Sequence, residues 1–283
     1  MEAPRVPFVK MHGLGNDYVF IDFVDERDLT PPDPPRWARV LSDRHAGIGA
    51  DGLIIMQRDP EHPCRMEIYN ADGSRAEMCG NGIRCVARLA WERRYASSEG
   101  FAIGTDSGPR AVEILREQEG FRGVRVAMGI PRFEELELEL DLAAGSARGS
   151  VLTLGNPHFV VELDLPPEAF PVREQGPLIE RHPRFPGRTN VAFARVRGRD
   201  RIDLRVWERG SGETRACGTG AAAAVAALER RGRTGRRVTV ELAGGALDIE
   251  ITESGEIWMT GPAEESFRGS FARELVEGAG PEG

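Results

Sequence analysis

The sequence predicts an α+β fold built from two homologous halves, each with several short strands around one buried helix. Short apolar runs bounded by Gly-, Pro- and Asn-rich turns indicate the strands. Two strongly apolar segments, beginning near residues 80 and 218, indicate helices that lie in the core. The segments around these helices recur in the same order at nearly constant spacing, which indicates a duplication.

Four matched features define the repeat. Asn16 and Asn156 begin similar apolar strands, GND-YVFI and GNP-HFVV, and lie 140 residues apart. Three further pairs lie 138 residues apart: Gly52 with Asn190, Asn70 with Glu208, and Cys79 with Cys217. One such match could arise by chance, but four in the same order indicate two halves of about 120 to 140 residues. We place the boundary near residues 115–130.

Local patterns predict the individual elements. We predict strands at 6–11, 18–23, 53–57 and 64–70, a short helix at 36–44, and a core helix at 80–95. The acidic stretch 134–150 predicts an edge strand followed by a loop. Residues 276–283 are predicted to form a disordered tail.

Composition excludes several classes of protein. The net charge of −8 argues against a nucleic-acid partner, which usually meets a basic surface. The sequence contains no run of about 18 apolar residues, so it predicts no membrane span. The amino terminus has no apolar segment after a basic start, so we expect no signal peptide and a cytoplasmic location. With only four cysteines and no export signal, we expect reduced thiols.

The residue types also bear on cofactors and metals. Lys10 is the only lysine, and pyridoxal phosphate needs a lysine for its Schiff base, so we expect no such cofactor. No CxxC pair occurs, and the positions of Cys64, Cys79 and Cys85 do not match the usual zinc-ligand spacing. We therefore predict neither a cofactor nor a metal site.

The two repeated cysteines carry the predicted chemistry. Cys79 in MCGNG and Cys217 in ACGTG each stand on a Gly-x-Gly turn at the start of an apolar helix. Unpaired backbone N–H groups and the helix dipole stabilise a thiolate there, and also a bound carboxylate. Two such thiols could take a proton from one face of a carbon and return one to the other face. Cys64 and Cys85 are interpreted as small buried apolar residues.

Polar residues at repeat-related positions suggest a binding site for a zwitterion. The four asparagines beside turns are Asn16, Asn70, Asn156 and Asn190. Arg209 offers a fork for a carboxylate, and Glu208 can bind an ammonium group or shift the pKa of a thiol. His158 has two open interpretations, as a structural residue or as a group that tunes a thiol.

Five motifs resemble the diaminopimelate epimerase family along residues 6 to about 273. They are KMHGLGNDYVFID (10–22), RHAGIGADG (44–52), YNADGSRAEMCGNGIRC (69–85), GNPHFVV (155–161) and WERGSGETRACGTGA (207–221). The resemblance implies two similar domains, each a mostly antiparallel β-barrel wrapped around a central helix, with the active site in the interdomain cleft. It places the domains at 1–118, completed by 264–275, and at 119–263, with a tail at 276–283. It also implies interconversion of LL- and meso-diaminopimelate, for lysine and peptidoglycan, without a cofactor.

The resemblance also implies roles for particular residues. Cys79 and Cys217 are the acid and base, and His158 and Glu208 tune the thiols. Substrate-binding residues are Asn16, Asn70, Gly80, Asn81, Asn156, Asn190, Glu208, Arg209, Gly218 and Thr219. One departure is Gly52, where some members have glutamine, so a side-chain contact there is absent or is made by backbone or water.

Two alternatives remain open at this point. A proline or hydroxyproline racemase would share the architecture and the facing cysteines. A non-catalytic amino-acid-binding module would carry the same turns with inert thiols. The small-molecule substrate expected is diaminopimelate, with no nucleic-acid or membrane partner. A homodimer is the expected assembly, although no pattern in the sequence specifies it.

Overall fold

The structure is a computed structural model that describes residues 5–25, 31–118, 120–142 and 145–278, and the chain forms two compact units. One unit comprises the residues up to Val124 together with those from Pro262 onward. The other comprises Arg125–Gly261. Each unit combines β-strands with one 13-residue helix that begins directly after a cysteine. The predicted α+β fold class is confirmed.

Strands make up most of both units. The strands of the first unit are β1 (Arg5–Gly13), β2 (Asn16–Phe23), β3 (Gly52–Gln57), β4 (Arg65–Asn70), β5 (Arg75–Ala76), β6 (Gly100–Ile103), β7 (Arg110–Glu117) and β18 (Glu264–Ala272). β8 (Gly120–Gly129) runs from the first unit into the second. The strands of the second unit are β9 (Arg132–Leu142), β10 (Gly145–Thr153), β11 (Pro157–Glu162), β12 (Asn190–Gly198), β13 (Arg201–Glu208), β14 (Gly212–Thr214), β15 (Arg237–Leu242), β16 (Gly245–Ile251) and β17 (Ile257–Gly261).

The described helices are few. They are α1 (Pro34–Ser42), α2 (Gly80–Glu92), α3 (Val172–Glu180), α4 (Gly218–Arg230) and α5 (Glu274–Glu277), with a short 3-10 turn at Pro167–Ala169. Among the described residues, none of these helices has the length and apolar character that crossing a membrane requires.

The sheets are mostly antiparallel and contain matching parallel pairs. In the first unit the strand order is β18-β1-β2-β3-β4-β5, and only β2 and β3 in this series run parallel. In the second unit the order β17-β16-β15-β13-β12-β11-β10-β9 includes the parallel pairs β11–β12 and β13–β15. The pair β2–β3 therefore corresponds to β11–β12, as the sequence repeat requires.

The helices that follow the cysteines are buried, as predicted. Ile83, Val86 and Leu89 of α2 are at most 1% exposed. In α4 the run Ala221–Ala227 is almost completely buried, and its small side chains let neighbouring strands approach closely. A further layer covers the first unit, where Trp37 and Leu41 of α1 pack on apolar residues of its sheet.

Three local predictions were wrong at their edges. The helix predicted at 36–44 begins at Pro34, because Asp33 caps it and proline is tolerated in the first turn. The helix predicted at 80–95 ends at Glu92, and Arg94 takes a left-handed backbone with φ of 62°. In the stretch 134–150 the predicted edge strand is present as β9, but the paired strand β10 begins at Gly145, where a loop was predicted.

The predicted disordered tail is also corrected in part. Residues 274–277 form the helical turn α5, and Val276 is fully buried against α1 and its sheet. An apolar side chain that finds such a pocket orders the backbone around it. The rest of the predicted tail, 279–283, lies outside the described residues.

Candidate active site

Cys79 is the N-cap residue of α2. Its backbone is extended, with φ of −137° and ψ of 115°, and its Sγ accepts a hydrogen bond from the Gly82 backbone N–H at 3.4 Å. A Cβ on residue 82 would come within 2.5 Å of Ile54 Cδ1. Glycine at position 82 therefore lets the helix start lie directly against the buried strand β3.

Cys217 caps α4 with the same geometry. Its φ and ψ are −129° and 108°, and its Sγ accepts from the Gly220 N–H at 3.4 Å. A Cβ on residue 220 would lie 3.3 Å from this sulfur and 3.1 Å from a Val206 methyl group. The two thiols therefore take part in equivalent N-caps, where sulfur replaces the usual side-chain oxygen.

Strand register brings the other repeated positions beside these caps. In the first unit Tyr18 pairs with Gly52, and Gly52 pairs with Asn70. In the second unit His158 pairs with Asn190 on the neighbouring strand. Val191, the next residue, pairs with Trp207, and Glu208 directly follows Trp207 in the chain. The polar positions predicted from the repeat thus lie on adjacent strands within each unit.

Asn16 contacts the Cys79 thiol directly. Its Oδ1 lies 3.5 Å from Cys79 Sγ and also accepts from Asn81 Nδ2 at 3.2 Å. Its Nδ2 donates to Asp51 at 2.8 Å, which fixes the orientation of the amide. Tyr18 is buried, and burial followed by the charge of Cys79 raises the pKa of its phenol well above the ordinary value. Asp51 and Tyr18 were not identified by sequence reasoning, although Tyr18 aligns with His158 in the repeat.

Asp17, the residue that follows Asn16, belongs to a cluster of ion pairs. Asp17 pairs with the buried Lys10 at 2.5 Å and with Arg44 at 2.8 Å, and Arg44 also bonds Asp51 at 2.9 Å. Burial opposes ionisation of Asp17, but the hydrogen bonds from Arg44 and Lys10 outweigh it and lower the pKa of this carboxyl group. The one lysine of the chain therefore has a structural role.

Arg84 anchors the predicted binding residues Gly80 and Asn81. It is fully buried and donates to the Gly80 carbonyl at 3.0 Å, to Asn81 Oδ1 at 2.9 Å and to the Pro262 carbonyl at 2.9 Å. Burial lowers its pKa to about 10, so it stays charged at neutral pH. The Asn81 amide is thereby aimed with its Nδ2 toward Asn16.

Cys217 lies in a different electrostatic environment. Its side chain is buried, and its pKa is raised well above the ordinary value, first by burial and then by the Glu208 carboxylate. The hydroxyl of Thr219 at 3.5 Å and the Gly220 N–H act in the opposite direction. Glu208 itself accepts from Thr214 Oγ1 at 2.5 Å. Cys217 is therefore a neutral thiol at physiological pH.

His158 is linked to Cys217 through two other residues. Its Nε2 lies 2.8 Å from Asn156 Oδ1, and Asn156 Nδ2 donates to Thr219 Oγ1 at 3.4 Å. Burial, with a smaller effect of Arg209, lowers its pKa to about 3, so the imidazole is neutral. Its Nδ1 has no hydrogen-bond partner among the described residues. Its predicted tuning of a thiol stays a prediction, and it would act as a neutral group.

The remaining predicted binding residues divide between the two units. Asn190 accepts from the Arg209 backbone N–H at 3.0 Å and donates to the Pro157 carbonyl at 2.9 Å, so it joins three segments of the second unit. In the first unit Asn70 donates to Ser74 at 3.0 Å. A Cβ on residue 52 would lie 2.3 Å from the Tyr69 carbonyl oxygen, which explains glycine there. The substrate contacts assigned to these residues stay predictions.

The other two cysteines, Cys64 and Cys85, lie outside the helix caps. Cys64 and Cys85 are at most 1% exposed, and burial raises the pKa of each thiol to about 12. All four cysteines are free. Within the described ranges, no group of three or more His, Cys, Asp or Glu side chains is arranged to hold a metal ion.

Relatives with known names match nearly the whole chain. A family model described as diaminopimelate epimerase matches residues 8–134 and 150–265. A protein of Pelotomaculum thermopropionicum named diaminopimelate epimerase is 46% identical over 279 residues, covering 93% of this chain and 98% of that protein. One from Moorella thermoacetica with the same name is 44% identical over 277 residues, covering 93% and 98%.

Solved structures share the fold at low sequence identity. A phenazine biosynthesis protein of the PhzF family from Bacillus anthracis has a TM-score of 0.73 at 13% identity, covering 95% of this chain and 99% of that one. A probable proline racemase from Agrobacterium radiobacter has a TM-score of 0.71 at 17% identity, covering 96% and 95%. These likenesses show the fold, whereas the matches above extend through both cysteine caps. The chain therefore belongs to the diaminopimelate epimerase family.

Proposed function

We propose that this protein is an isomerase that interconverts LL- and meso-diaminopimelate with two cysteine side chains and no pyridoxal phosphate. The supporting observation is the pair of equivalent N-cap thiols, Cys79 and Cys217, in a chain that matches the family through both caps. The proposal requires both thiols to reach one substrate carbon from opposite faces.

The reaction removes one proton from the α-carbon and adds another to its opposite face. The thiolate of one cysteine takes the α-proton and becomes a thiol, and the electron pair is delocalised into the substrate carboxylate. The thiol of the other cysteine gives its proton to the opposite face and becomes a thiolate. The reverse reaction exchanges the two roles. Cys217, which is held as a neutral thiol, is assigned as the acid in the turnover that starts from this state, and Cys79 is assigned as the base.

The helix starts would stabilise the charge that develops during this step. Backbone N–H groups of Gly80 and Asn81, and of Gly218 and Thr219, are the donors proposed for the reacting carboxylate. Such donors matter because the α-proton of an amino acid is weakly acidic and needs a preorganised site that excludes water.

The remaining polar residues would recognise the two amino-acid ends. We assign Asn16 and Asn156 to the reacting end, since each hydrogen-bonds a group at a cysteine cap. Asn70, Asn190 and Arg209 are assigned to the distal end, where the Arg209 guanidinium can bind a carboxylate. This distal set favours a substrate with a second amino-acid end over proline.

One experiment separates this function from its rivals. The purified protein is incubated in heavy water with LL-diaminopimelate and, in parallel, with L-proline. We expect deuterium at the α-carbon of diaminopimelate and formation of the meso isomer, with no exchange into proline. Exchange into proline alone would indicate the racemase alternative. No exchange into either compound would indicate a binding module and would overturn the proposal.

We further propose that the protein works in the cytoplasm as a homodimer. The mechanism needs reduced thiols, and all four cysteines are free. Cell fractionation tests the location, and light scattering of the purified protein tests the assembly. Recovery from the periplasm, or a monomer mass at assay concentration, would contradict the respective statement.

A further inference from the structure

Glu180 is a buried carboxylate at the end of α3. Only 2% of this residue is exposed, which is unusual for a charged side chain. Its Oε2 accepts a hydrogen bond from the Trp207 indole N–H at 2.8 Å, and its Oε1 accepts one from the Gly210 backbone N–H at 3.0 Å. The carboxylate therefore uses both oxygens to bind the chain on either side of Glu208 and Arg209.

The segment that this carboxylate binds is a turn at the end of β13. The strand ends at Glu208, and the Ser211 N–H donates to the Glu208 carbonyl at 3.1 Å, which closes the turn 208–211. Arg209 is exposed in this turn, and its own backbone N–H donates to Asn190 Oδ1 at 3.0 Å. The backbone on both sides of the arginine side chain is therefore anchored to buried groups of the second unit.

The helix that carries Glu180 is itself fixed against Trp207. A Cβ on Gly176, one helical turn before Glu180, would lie 2.6 Å from Trp207 Cγ, so glycine lets α3 lie directly on the indole ring. Ile179 of the same helix is buried in the core of the second unit. Burial opposes ionisation of Glu180, but its hydrogen bonds outweigh this effect and lower the pKa of the carboxyl group. The side chain is therefore a rigidly supported anion, with Arg188 Nη1 at 3.6 Å.

The first half has a different arrangement at the matching positions. α1 and α3 both have nine residues and correspond in the repeat, so Glu180 corresponds to Ser42. Ser42 is buried, and its hydroxyl has no hydrogen-bond partner among the described residues. Arg209 corresponds to Ala71. The half whose turn carries an arginine thus has a buried carboxylate beneath the turn, whereas the half whose turn carries an alanine has a serine there.

Glu208 has supports that are independent of Glu180. It pairs with Gly212 in the β13–β14 ladder, and its Oε1 accepts from the Thr214 hydroxyl. Arg209 lies one residue beyond the end of β13, so its position depends on the contacts of the turn. Loss of the Glu180 contacts should therefore displace Arg209 more than Glu208.

We propose that Glu180 is a positioning residue that acts through Arg209: its carboxylate holds the turn in which the guanidinium meets the distal carboxylate of the substrate. The inference rests on the proposed function, which assigns Arg209 to that end of diaminopimelate. A preorganised guanidinium reduces the ordering cost of binding. The distal end does not react, so this contact stabilises the ground state and the transition state equally and appears in KM rather than in kcat.

The test is a double-mutant cycle on kcat/KM for LL-diaminopimelate, built from Glu180→Gln and Arg209→Ala. Glutamine keeps the size of the side chain, but its NH2 group cannot accept, so the contact with either Trp207 or Gly210 is lost. We expect Glu180→Gln to raise KM about tenfold and to leave kcat within about twofold of wild type. Arg209→Ala alone should lower kcat/KM by about 10²-fold.

The two backgrounds of the cycle separate positioning from a general structural role. In the Arg209→Ala background, Glu180→Gln should change kcat/KM by less than about twofold, because the group that Glu180 positions is gone. An equal loss in both backgrounds would show that Glu180 supports the fold without acting through Arg209, and would overturn the inference. Glu162→Gln is the matched control, since Glu162 is a partly buried carboxylate of the second unit that pairs with Arg231 and Arg233. It should leave KM unchanged.

Trypsin provides a readout that needs no substrate. It cleaves after arginine, and cleavage of the bond between Arg209 and Gly210 in the native protein can be followed by peptide mass spectrometry. We expect this bond to be cleaved about tenfold faster in Glu180→Gln than in wild type, because the turn opens more often. Cleavage in Glu162→Gln should match wild type. An unchanged rate in Glu180→Gln would contradict the proposed anchoring.

A second variant removes the same anchor from its other side. Trp207→Phe deletes the indole N–H and keeps an aromatic ring against Gly176. We expect KM to rise in this variant, and the rise to disappear in the Arg209→Ala background. This variant tests the inference even if Glu180→Gln folds poorly, and a loss of equal size in both backgrounds would contradict it.

Failure of this inference and failure of the proposed function are distinguishable. If wild type epimerises diaminopimelate and the cycle is additive, only the role of Glu180 is wrong. If wild type does not epimerise diaminopimelate, the proposed function is wrong, and the trypsin comparison still shows whether Glu180 anchors the turn.

Discussion

Cys79 and Cys217 cap helices of equal length with nearly the same backbone angles, yet the side chains around them differ in charge. Near Cys79 is the buried cation Arg84. Beside Cys217 is the carboxylate of Glu208. The duplication thus kept the backbone that presents each thiol, while substitutions at neighbouring positions changed the charges around it.

The largest effect should come from removing either thiol. We expect Cys79→Ala and Cys217→Ala each to lower epimerase turnover by about 10³-fold or more, because alanine neither accepts nor gives a proton. Steady-state assays with LL-diaminopimelate measure this loss. Cys64→Ala is the control, since Cys64 is a buried cysteine outside both caps and its variant should keep its turnover. Near wild-type turnover in either cap variant would refute the two-thiol mechanism.

The next effect concerns Gly52 and Asn190, which occupy matching positions of the repeat but differ in side chain. Gly52→Ala should lower the free energy of unfolding by about 3 kcal/mol, because the new Cβ would lie 2.3 Å from the Tyr69 carbonyl oxygen and the backbone must move. Chemical denaturation measures the change. At the related position Asn190 already carries a side chain, and Asn190→Ala loses hydrogen bonds without a clash. If Asn190→Ala lowered the free energy of unfolding as much as Gly52→Ala or more, the steric clash at residue 52 would not be the main cause of destabilisation.

A smaller effect is expected when the charge beside Cys217 is removed. Glu208→Gln keeps the size of the side chain but removes the negative charge that opposes thiolate formation, so the pKa of Cys217 should fall. It should stay above its ordinary value, because burial is the larger cause and is unchanged. Alkylation of Cys217 across pH measures the direction of the shift. An upward shift, or none, would contradict the assigned role of the carboxylate.

The smallest effect concerns the ion cluster around Asp17. Asp17 aligns with Pro157 in the repeat, so the second half has no carboxyl group there. The pKa of Asp17 is lowered in the folded protein, so its stabilisation is present above the ordinary value of 3.8 and is lost as the pH falls through the lower, folded value. Asp17→Asn should therefore cost about 1 kcal/mol at pH 7, and the difference from wild type should shrink in acid. Thermal unfolding at both pH values tests this, and a difference that grows in acid would contradict it.

Much of the fold followed from local pattern. The strand at 18–23, the buried helix after Cys79 and the repeat itself depend on hydrophobic periodicity and on glycine turns, which neighbouring residues specify. The start of α1 at Pro34 was missed because a run of prolines favours a loop unless a cap such as Asp33 precedes it. The burial of Val276 was missed because its pocket is built by distant segments.

The candidate site was predictable to a more limited extent. Both cysteine caps were accessible from sequence, since the capped N–H lies only three residues after each thiol. Tyr18 and Asp51 were not identified, because the packing of Tyr18 beside Gly52 and the hydrogen bond of Asp51 with Asn16 join residues far apart in the chain. The alignment of the two halves, in which Tyr18 matches His158, was the sequence feature that could have indicated Tyr18.

The sequence by itself determined the two thiol-bearing helix starts and their duplication, because cap geometry depends on a few consecutive residues and on glycines that admit no Cβ. The tertiary structure decided the protonation state of Cys217. Burial and the nearby carboxylate of Glu208 keep this thiol protonated. These effects depend on desolvation and on contacts between distant segments, and neither quantity is contained in a local pattern.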